Sequence, residues 1–344
     1  MVDQEAGSGV GAVPSEAAAG PWTLSVVIPV FNEVKGLAGL LARLMPVIDA
    51  TGAHAEVIFV DDGSGDGTLE AIRAAHVKDA RIKAIALSRN FGKEIAVTAG
   101  LRAATGDATI LMDGDLQHPP EVIPGLIAGW RAGNDIVYGA RRDRAADGAM
   151  RGAFSLFYYR LFNVLSGTQL PEGGGGDFRL FSRRALDAFN RLGERARFNK
   201  GLYAWIGYKV TAVPFEVPER ADGGGSKWNL RRLAHFAIDG LASFSTLPLR
   251  VWSVLGLAVS LFAFGYILVF LVKTLLFGVD LAGFPTLIVS IMFFAGVQLI
   301  SLGVIGEYLG RIYDEVKGRP LFLVAEEIGL DPDPAAGTAG RGHA

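Results

Sequence analysis

The sequence predicts an open α/β domain, a mostly parallel sheet with helices on both faces, followed by a segment that belongs in a bilayer. Three observations predict it. From Leu24 to about Ala140, short β-branched apolar runs alternate with segments of helical period. The 344-residue chain is 50% hydrophobic, with a mean hydropathy of +0.33, too apolar for an ordinary soluble protein. Two long stretches near the C-terminus carry no charge at all.

Taken in order, residues 1–21 are Gly, Ala, Ser, Pro and acid without an apolar period, so they cannot bury enough surface to offset ordering entropy and read as a disordered tail. The strands are expected at Leu24–Val30, Glu56–Val60, Ile82–Leu87, Ala108–Met112 and Asp135–Tyr138. Helices fit between them at Val34–Ala50, Thr68–Val77, Lys93–Ala104 and Pro120–Ala132. Strands apolar on both faces and separated by helices require a parallel sheet covered on both sides. Such sheets bind ligands beyond the carboxyl ends of their strands, so the loops after Val30, Val60, Leu87 and Met112 are where chemistry is expected. After Ala140 the alternation fades, with Gly-rich runs at 173–176 and 223–225.

Between Arg250 and Lys273 lie 22 uncharged residues and between Asp280 and Glu307 another 26, each long enough to cross a hydrocarbon core of about 30 Å. Two transmembrane helices in a hairpin are expected. Arg231, Arg232, Arg250, Arg311, Lys317 and Arg319 flank their outer ends, which puts both termini and the α/β domain on the cytoplasmic side of a plasma (inner) membrane. Leu230, Leu233, Ala237, Leu241 and Phe244 recur at helical spacing ahead of the first span, giving an amphipathic helix that lies in the interface or packs on the α/β domain. The resulting division is a tail at 1–21, a catalytic domain at 22–226, a juxtamembrane helix at 227–247, two spans at 248–310 and a cytoplasmic tail at 311–344. Gly296, Ser301, Gly303 and Gly306 on the second span permit close helix contact and hence a homo-oligomer.

Composition excludes several classes. With 33 Lys+Arg against 35 Asp+Glu there is no polybasic footprint for nucleic acid, and the absence of cysteine removes disulfides, zinc–thiolate sites and thiol nucleophiles. No dinucleotide or P-loop glycine fingerprint follows a strand.

The acids at strand ends carry the chemistry. Asp113 and Asp115, spaced i, i+2 in an extended loop, point the same way and suit a hard divalent cation shared with diphosphate oxygens; Gln117 adds an amide oxygen. Asp61-Asp62-Gly63-Ser64 is a second acidic strand end, either an Asx-type turn capping the next helix or a carboxylate that accepts from a base or ribose. His118 lies within the acidic motif, but a hard-cation site has no need of imidazole.

Ser25 to Glu33 (SVVIPVFNE), Val60 to Ser64 (VDDGS) and Asp113-Gly114-Asp115 together resemble family 2 glycosyltransferases of GT-A fold. With Leu87 to Glu94 (LSRNFGKE), Gly176 to Leu180 (GDFRL), Ser226 to Asn229 (SKWN) and two C-terminal spans, the chain is similar to the polyprenyl-phosphate branch, across about Ser25 to Arg319. The resemblance implies inverting transfer of a hexose from a nucleotide-diphosphate sugar to a polyprenyl phosphate at the membrane, with magnesium or manganese. The donor favoured is UDP-glucose-like, with GDP-mannose as the alternative. It assigns Pro29, Phe31, Glu33, Asp61, Asp62 and Asp113 to the nucleotide, and Asp113, Asp115 and Gln117 to metal and diphosphate. Arg141 and Arg179 fall to the acceptor phosphate, and Arg220 and Lys227 to a loop over the diphosphate. Asp177 falls where bactoprenol members carry a catalytic aspartate, beside Arg179 and Asp115, and would orient Arg179 or the sugar, or act as base. The loop Arg220 to Lys227 is longer and richer in glycine than the family's, which weakens Arg220. The alternatives are a membrane glycosyltransferase with another lipid-linked acceptor and a non-catalytic nucleotide-sugar-binding scaffold.

Overall fold

The computed structural model describes residues 21–115, 117–141, 177–195, 197–216, a set of positions scattered between 256 and 276, and 283–330. Its strands are β1 (Thr23–Val30), β2 (His54–Asp61), β3 (Ile82–Leu87), β4 (Ala108–Leu111), β5 (Ile136–Arg141), β6 (Arg179–Ser182), β7 (Val210–Phe215) and β8 (Val324–Ile328). Its helices, numbered here in chain order, are α1 (Val34–Ala50), α2 (Thr68–Lys78), α3 (Lys93–Ala103), α4 (Ile123–Arg131), α5 (Arg183–Asn190), α6 (Asn199–Trp205) and α7 (Phe284–Val316). The strands form one sheet in the order β7-β5-β6-β4-β1-β2-β3-β8.

The five expected strands and four expected helices all form, with ends moved by a few residues. Pro124 near the start of α4 leaves Pro120–Val122 as a separate turn of 3₁₀ helix. Alternate residues of β1 explain the layers. Val26 and Ile28 pack toward Leu40, Leu44 and Ile72 of α1 and α2, whereas Val27 packs with Val60, Val97 and Ala99 on the α3 face. Both faces of the central strands are therefore apolar and covered, as parallel pairing through helical crossovers demands.

β1 pairs parallel with β2 and with β4, and β2 with β3, so the loops after these four strands open on one edge. β6 runs the other way. It is antiparallel to β4, with Leu111 opposite Arg179, and antiparallel to β5. Its beginning, not its end, thus sits beside the carboxyl end of β4, and Asp177 arrives at the same edge as Asp113.

Three strands were not anticipated. β7 contains Pro214 and alternates exposed with part-buried residues, which a sheet edge tolerates. β8 reads VAEEI, two acids in five residues, and pairs antiparallel with β3. The expected tail at 311–344 therefore contains a sheet strand, fixed by Glu326 to Arg73 at 2.9 Å, and α7 runs past the expected limit at 310. Among the described residues one helix, not two, is long and apolar enough to cross a membrane, at Phe293–Val316. The first expected span lies largely outside the described residues, as do the tail at 1–20, the juxtamembrane helix at 227–247 and Trp228. The described positions between 256 and 276 are helical, with Phe262, Val269 and Leu275 exposed.

Gly63 joins two of the site loops. It has φ 75°, and a Cβ there would lie 2.7 Å from the carbonyl carbon of Arg89 and 2.8 Å from the amide nitrogen of Asn90. Gly63→Ala combines left-handed strain of about 1–2 kcal/mol with a backbone collision. It should lower the thermal midpoint of the detergent-solubilised protein and weaken nucleotide binding together, measured by thermal shift with and without UDP.

Candidate active site

The loops after β1 and β2 are stitched to each other. Asn32, at φ 56°, donates its N–H to Ser64 Oγ at 2.9 Å and accepts from the Gly65 N–H at 2.9 Å through its own Oδ1. The Glu33 and Val34 N–H groups donate to Thr68 Oγ1 at 3.0 Å and Asp66 Oδ2 at 3.2 Å. Asp61 accepts from the backbone N–H and hydroxyl of Ser64, the turn the sequence allowed. The helix-start role falls to Asp66 instead, whose Oδ1 accepts from the Thr68 N–H at 3.0 Å. Burial raises the pKa of Asp61, partly offset by Ser64.

Asp62 secures the third loop. Its two oxygens accept from the N–H groups of Phe91 at 2.7 Å and Gly92 at 2.9 Å, where α3 begins. The loop after β3 is thereby held against the loop after β2, and Lys93 is presented at the sheet edge.

Between these loops lies a cleft of about 330 Å³. Pro29, Phe31, Glu33, Asp62 and Asp113 of the expected nucleotide set line it, with Asp115; Asp61 is not on its wall. Phe31 presents an exposed ring, 46% accessible. Glu33 is pushed up by partial burial and by the charges of Asp115 and Asp66. Four carboxylates, those of Glu33, Asp62, Asp113 and Asp115, face a single ammonium in the lining, that of Lys93.

Lys93 joins the two catalytic segments. Its Nζ lies 2.6 Å from Asp113 Oδ1 and 2.6 Å from Asp177 Oδ2. Burial disfavours the ammonium, but the two carboxylates outweigh it and raise its pKa. Asp177 is largely buried; desolvation would raise its pKa, and Lys200 and Lys93 reverse that and lower it. A carboxylate held ionised in this way is a poor proton acceptor and a good electrostatic anchor.

Behind Asp177 stands a buried layer. The Arg179 guanidinium is 4.2 Å from the centre of the Tyr203 ring, and the residue is only 6% exposed. Desolvation lowers its pKa against the opposing pull of Tyr203, Asp177 and Glu94. Arg179, which the resemblance gives to the acceptor phosphate, has its guanidinium buried against Tyr203 and not at an open surface. Glu94, next to Lys93, is pushed up to about 7 by burial and by Asp177. Asn199 holds it in place, donating Nδ2–H to the Glu94 carbonyl oxygen at 3.0 Å.

His118 has a role that its sequence position did not reveal. Its Nδ1 accepts from the Asp113 N–H at 3.1 Å, and its ring stacks on Phe178 at 5.0 Å and 14°. Burial lowers its pKa, which keeps Nδ1 free of a proton and able to accept. The imidazole thus ties the Asp113 loop to the residue beside Asp177.

Asp113 and Asp115 of the expected metal set both line the cleft. Among the described residues no three His, Cys, Asp or Glu converge as cation ligands, and the Lys93 ammonium holds Asp113. Gln117 is oriented by its N–H donating to Asp115 Oδ1 at 3.1 Å. Arg141 ends β5, paired with Phe215, but its side chain lies outside the described residues, as do Arg220 and Lys227. Lys93, Glu94, Lys200, Tyr203 and the structural use of His118 were missed; the one available signal was a lysine opening a helix straight after a strand-end loop.

The family model described as "Glycosyl transferase family 2" matches residues 25–189. An uncharacterised glycosyltransferase of Synechocystis sp. is 46% identical over 308 residues, covering 90% of this chain and 96% of its own. The chain belongs to glycosyltransferase family 2. The SfII prophage-derived bactoprenol glucosyl transferase of Shigella flexneri is 42% identical over 301 residues, 88% of this chain and 97% of its own. Among solved structures, glucosyl-3-phosphoglycerate synthase from Mycobacterium tuberculosis, in complex with Mn²⁺, UDP-glucose and phosphoglyceric acid, aligns at 21% identity and a TM-score of 0.45, over 70% of this chain and 83% of its own. A likeness of that degree transfers neither donor nor metal to this family 2 chain.

Two variants test the geometry. Glu94 binds its proton more tightly folded than unfolded, so its contribution to stability is complete below about pH 4.5 and is lost as pH rises through about 7. Glu94→Gln should flatten the decline of the thermal midpoint between pH 5 and 8 by about 2–4 °C, read by differential scanning fluorimetry. His118→Phe keeps the stacking but strands the Asp113 N–H, at a cost of about 1–3 kcal/mol. Its turnover should fall while His118→Asn, which restores an acceptor, recovers part of it.

Proposed function

We propose that this chain transfers a hexose, with inversion, from a nucleotide-diphosphate sugar to a polyprenyl phosphate at the membrane, giving a polyprenyl-phosphate sugar for modification of cell-envelope glycans. The observation that carries the reading is the Lys93 bridge, which joins Asp113, on the wall of the cleft, to Asp177 beside it. The bactoprenol acceptor named for the Shigella relative, matched along nearly its whole length, supports the lipid. A UDP-glucose-like donor is favoured, and GDP-mannose is the alternative.

The lining supports a divalent cation. Four carboxylates and one ammonium make a cleft that repels a diphosphate unless further positive charge accompanies it. Asp113 and Asp115, with Gln117, provide the hard oxygen donors that Mg²⁺ or Mn²⁺ prefers. Bound there, the ion would neutralise charge on the departing diphosphate.

The remaining work belongs to side chains. Phe31 and Pro29 give the base an apolar wall, with Glu33 beside it. The acceptor phosphate, its second pKa about 6, is largely dianionic near neutral pH and needs no strong base. Its oxygen forms the new bond at the anomeric carbon as the bond to the nucleoside diphosphate breaks on the opposite face. Lys93, held on Asp177, offsets the meeting of two anions. Asp177 orients the sugar, with Arg179 fixing its charge from behind, and Arg141, Arg220 and Lys227 complete the phosphate contacts. The apolar helix α7 provides an anchor, and a second span at 248–276 would complete a multi-pass protein with its catalytic domain on the cytoplasmic face of the plasma membrane.

Asp115→Ala should abolish cation-dependent transfer from UDP-glucose to undecaprenyl phosphate, followed by product mass, with folding checked by thermal shift. Unchanged turnover in that variant would remove the assignment of the metal.

A further inference from the structure

α7 is 33 residues, ~50 Å at 1.5 Å per residue, against a hydrocarbon core of ~30 Å. Its last ten residues hold Glu307, Arg311, Asp314 and Glu315, charges that the 26 residues before Glu307 lack. There a second cleft, of about 570 Å³, opens between the helix, the segment after it and the domain.

Its charges are unevenly used. Arg311 pairs with Glu307 at 2.9 Å, and Glu315 accepts from the Arg195 N–H at 2.7 Å. Lys317 and Arg319, on the same wall, have no carboxylate within ion-pair distance among the described residues; Lys317 only overlies the Tyr313 ring, 4.9 Å away. Asp314, and Glu315 whose partner is a neutral N–H, keep their negative charges in the lining. Gly306 and Gly310, one helical turn apart, contribute no side chains, and a Cβ at either would meet nothing within 4 Å.

The opposite wall contains Ile95, in the first turn of α3. Lys93 and Ala96 of that same turn line the donor cleft. The two clefts therefore back onto one turn of helix, one at the end of α7 and the other at the carboxyl ends of the strands.

We propose that this second cleft docks the phosphate head of the prenyl-phosphate acceptor as it leaves the bilayer, with Lys317 and Arg319 as its cationic ligands and the Gly306–Gly310 face beside the first part of its chain. The inference rests on the transfer reaction proposed above. A phosphate monoester near neutral pH carries close to two negative charges, matching two cations without partners, whereas a soluble acceptor would gain nothing from a site at the mouth of an apolar helix. Arg195 stands on the domain side of the opening, toward α3.

The test uses the full chain reconstituted in vesicles, with UDP-glucose as donor and undecaprenyl phosphate as acceptor. Lys317→Gln with Arg319→Gln removes the charge, and Gly310→Leu fills the space without a contact to break. Either variant should raise the acceptor KM about tenfold or more, with kcat and donor KM within about twofold of wild type. Native mass spectrometry should show parallel loss of the undecaprenyl-phosphate adduct, with phosphatidylglycerol adducts unchanged. An unaltered acceptor KM, or loss of phosphatidylglycerol with the prenyl-phosphate adduct intact, would overturn the docking assignment alone. A wild-type chain that neither binds undecaprenyl phosphate nor transfers to it would instead overturn both readings.

Discussion

One ammonium holds the catalytic edge of this protein together. Lys93 stands between two carboxylates from distant parts of the chain, at a cleft whose other charged lining residues are acids. Without it, Asp113 and Asp177 would meet as like charges, and Asp177 would lose one of the two lysines that hold it ionised. The scaffold is arranged to keep Lys93 there: Asp62 fixes the backbone just before it, and Gly63 lets the neighbouring loops approach to contact.

The antiparallel strand β6 is the second half of that arrangement. A parallel strand at the same position would deliver its carboxyl end to this edge, and the residues before Arg179 would lie at the far side of the sheet. Reversal places Asp177 beside Asp113 and drops Arg179 into the interior, where stacking on Tyr203 and the nearby acids compensate its burial. The result is an ionised Asp177 over a buried cation, with Glu94 the group whose charge responds to neutral pH.

How far the sequence revealed this follows from what kind of signal each part carries. β1 to β5 are apolar runs set between the helical segments α1 to α4 and are covered on their core faces, so local pattern and tertiary burial agree. β6 is four residues, β7 holds a proline and β8 two glutamates; their pairing is decided by neighbours on the sheet and not by their own composition. The acids of the cleft were legible because they end apolar strands. Lys93, Lys200 and His118 were not, since their importance lies in interactions with residues 5 to 84 positions away in the chain. Asp61 and Asp62, adjacent and alike on paper, part company in space: one closes its own turn and the other fastens a different loop.

The return of the chain from α7 to the sheet ties catalysis to anchorage in a covalent sense. β8 covers the outer edge of β3, Phe322 and Leu330 pack on the core behind it, and the Leu323 carbonyl accepts from the Ser88 N–H at 2.9 Å, where the loop leading to Lys93 starts. A fragment cut ahead of the membrane helix would therefore lose more than its anchor. It would bare a strand edge of the kind that recruits other chains into intermolecular sheets, and free one end of the loop that aims the ammonium. Soluble versions of this enzyme are better sought by grafting 318–330 back onto the domain through a linker than by truncation.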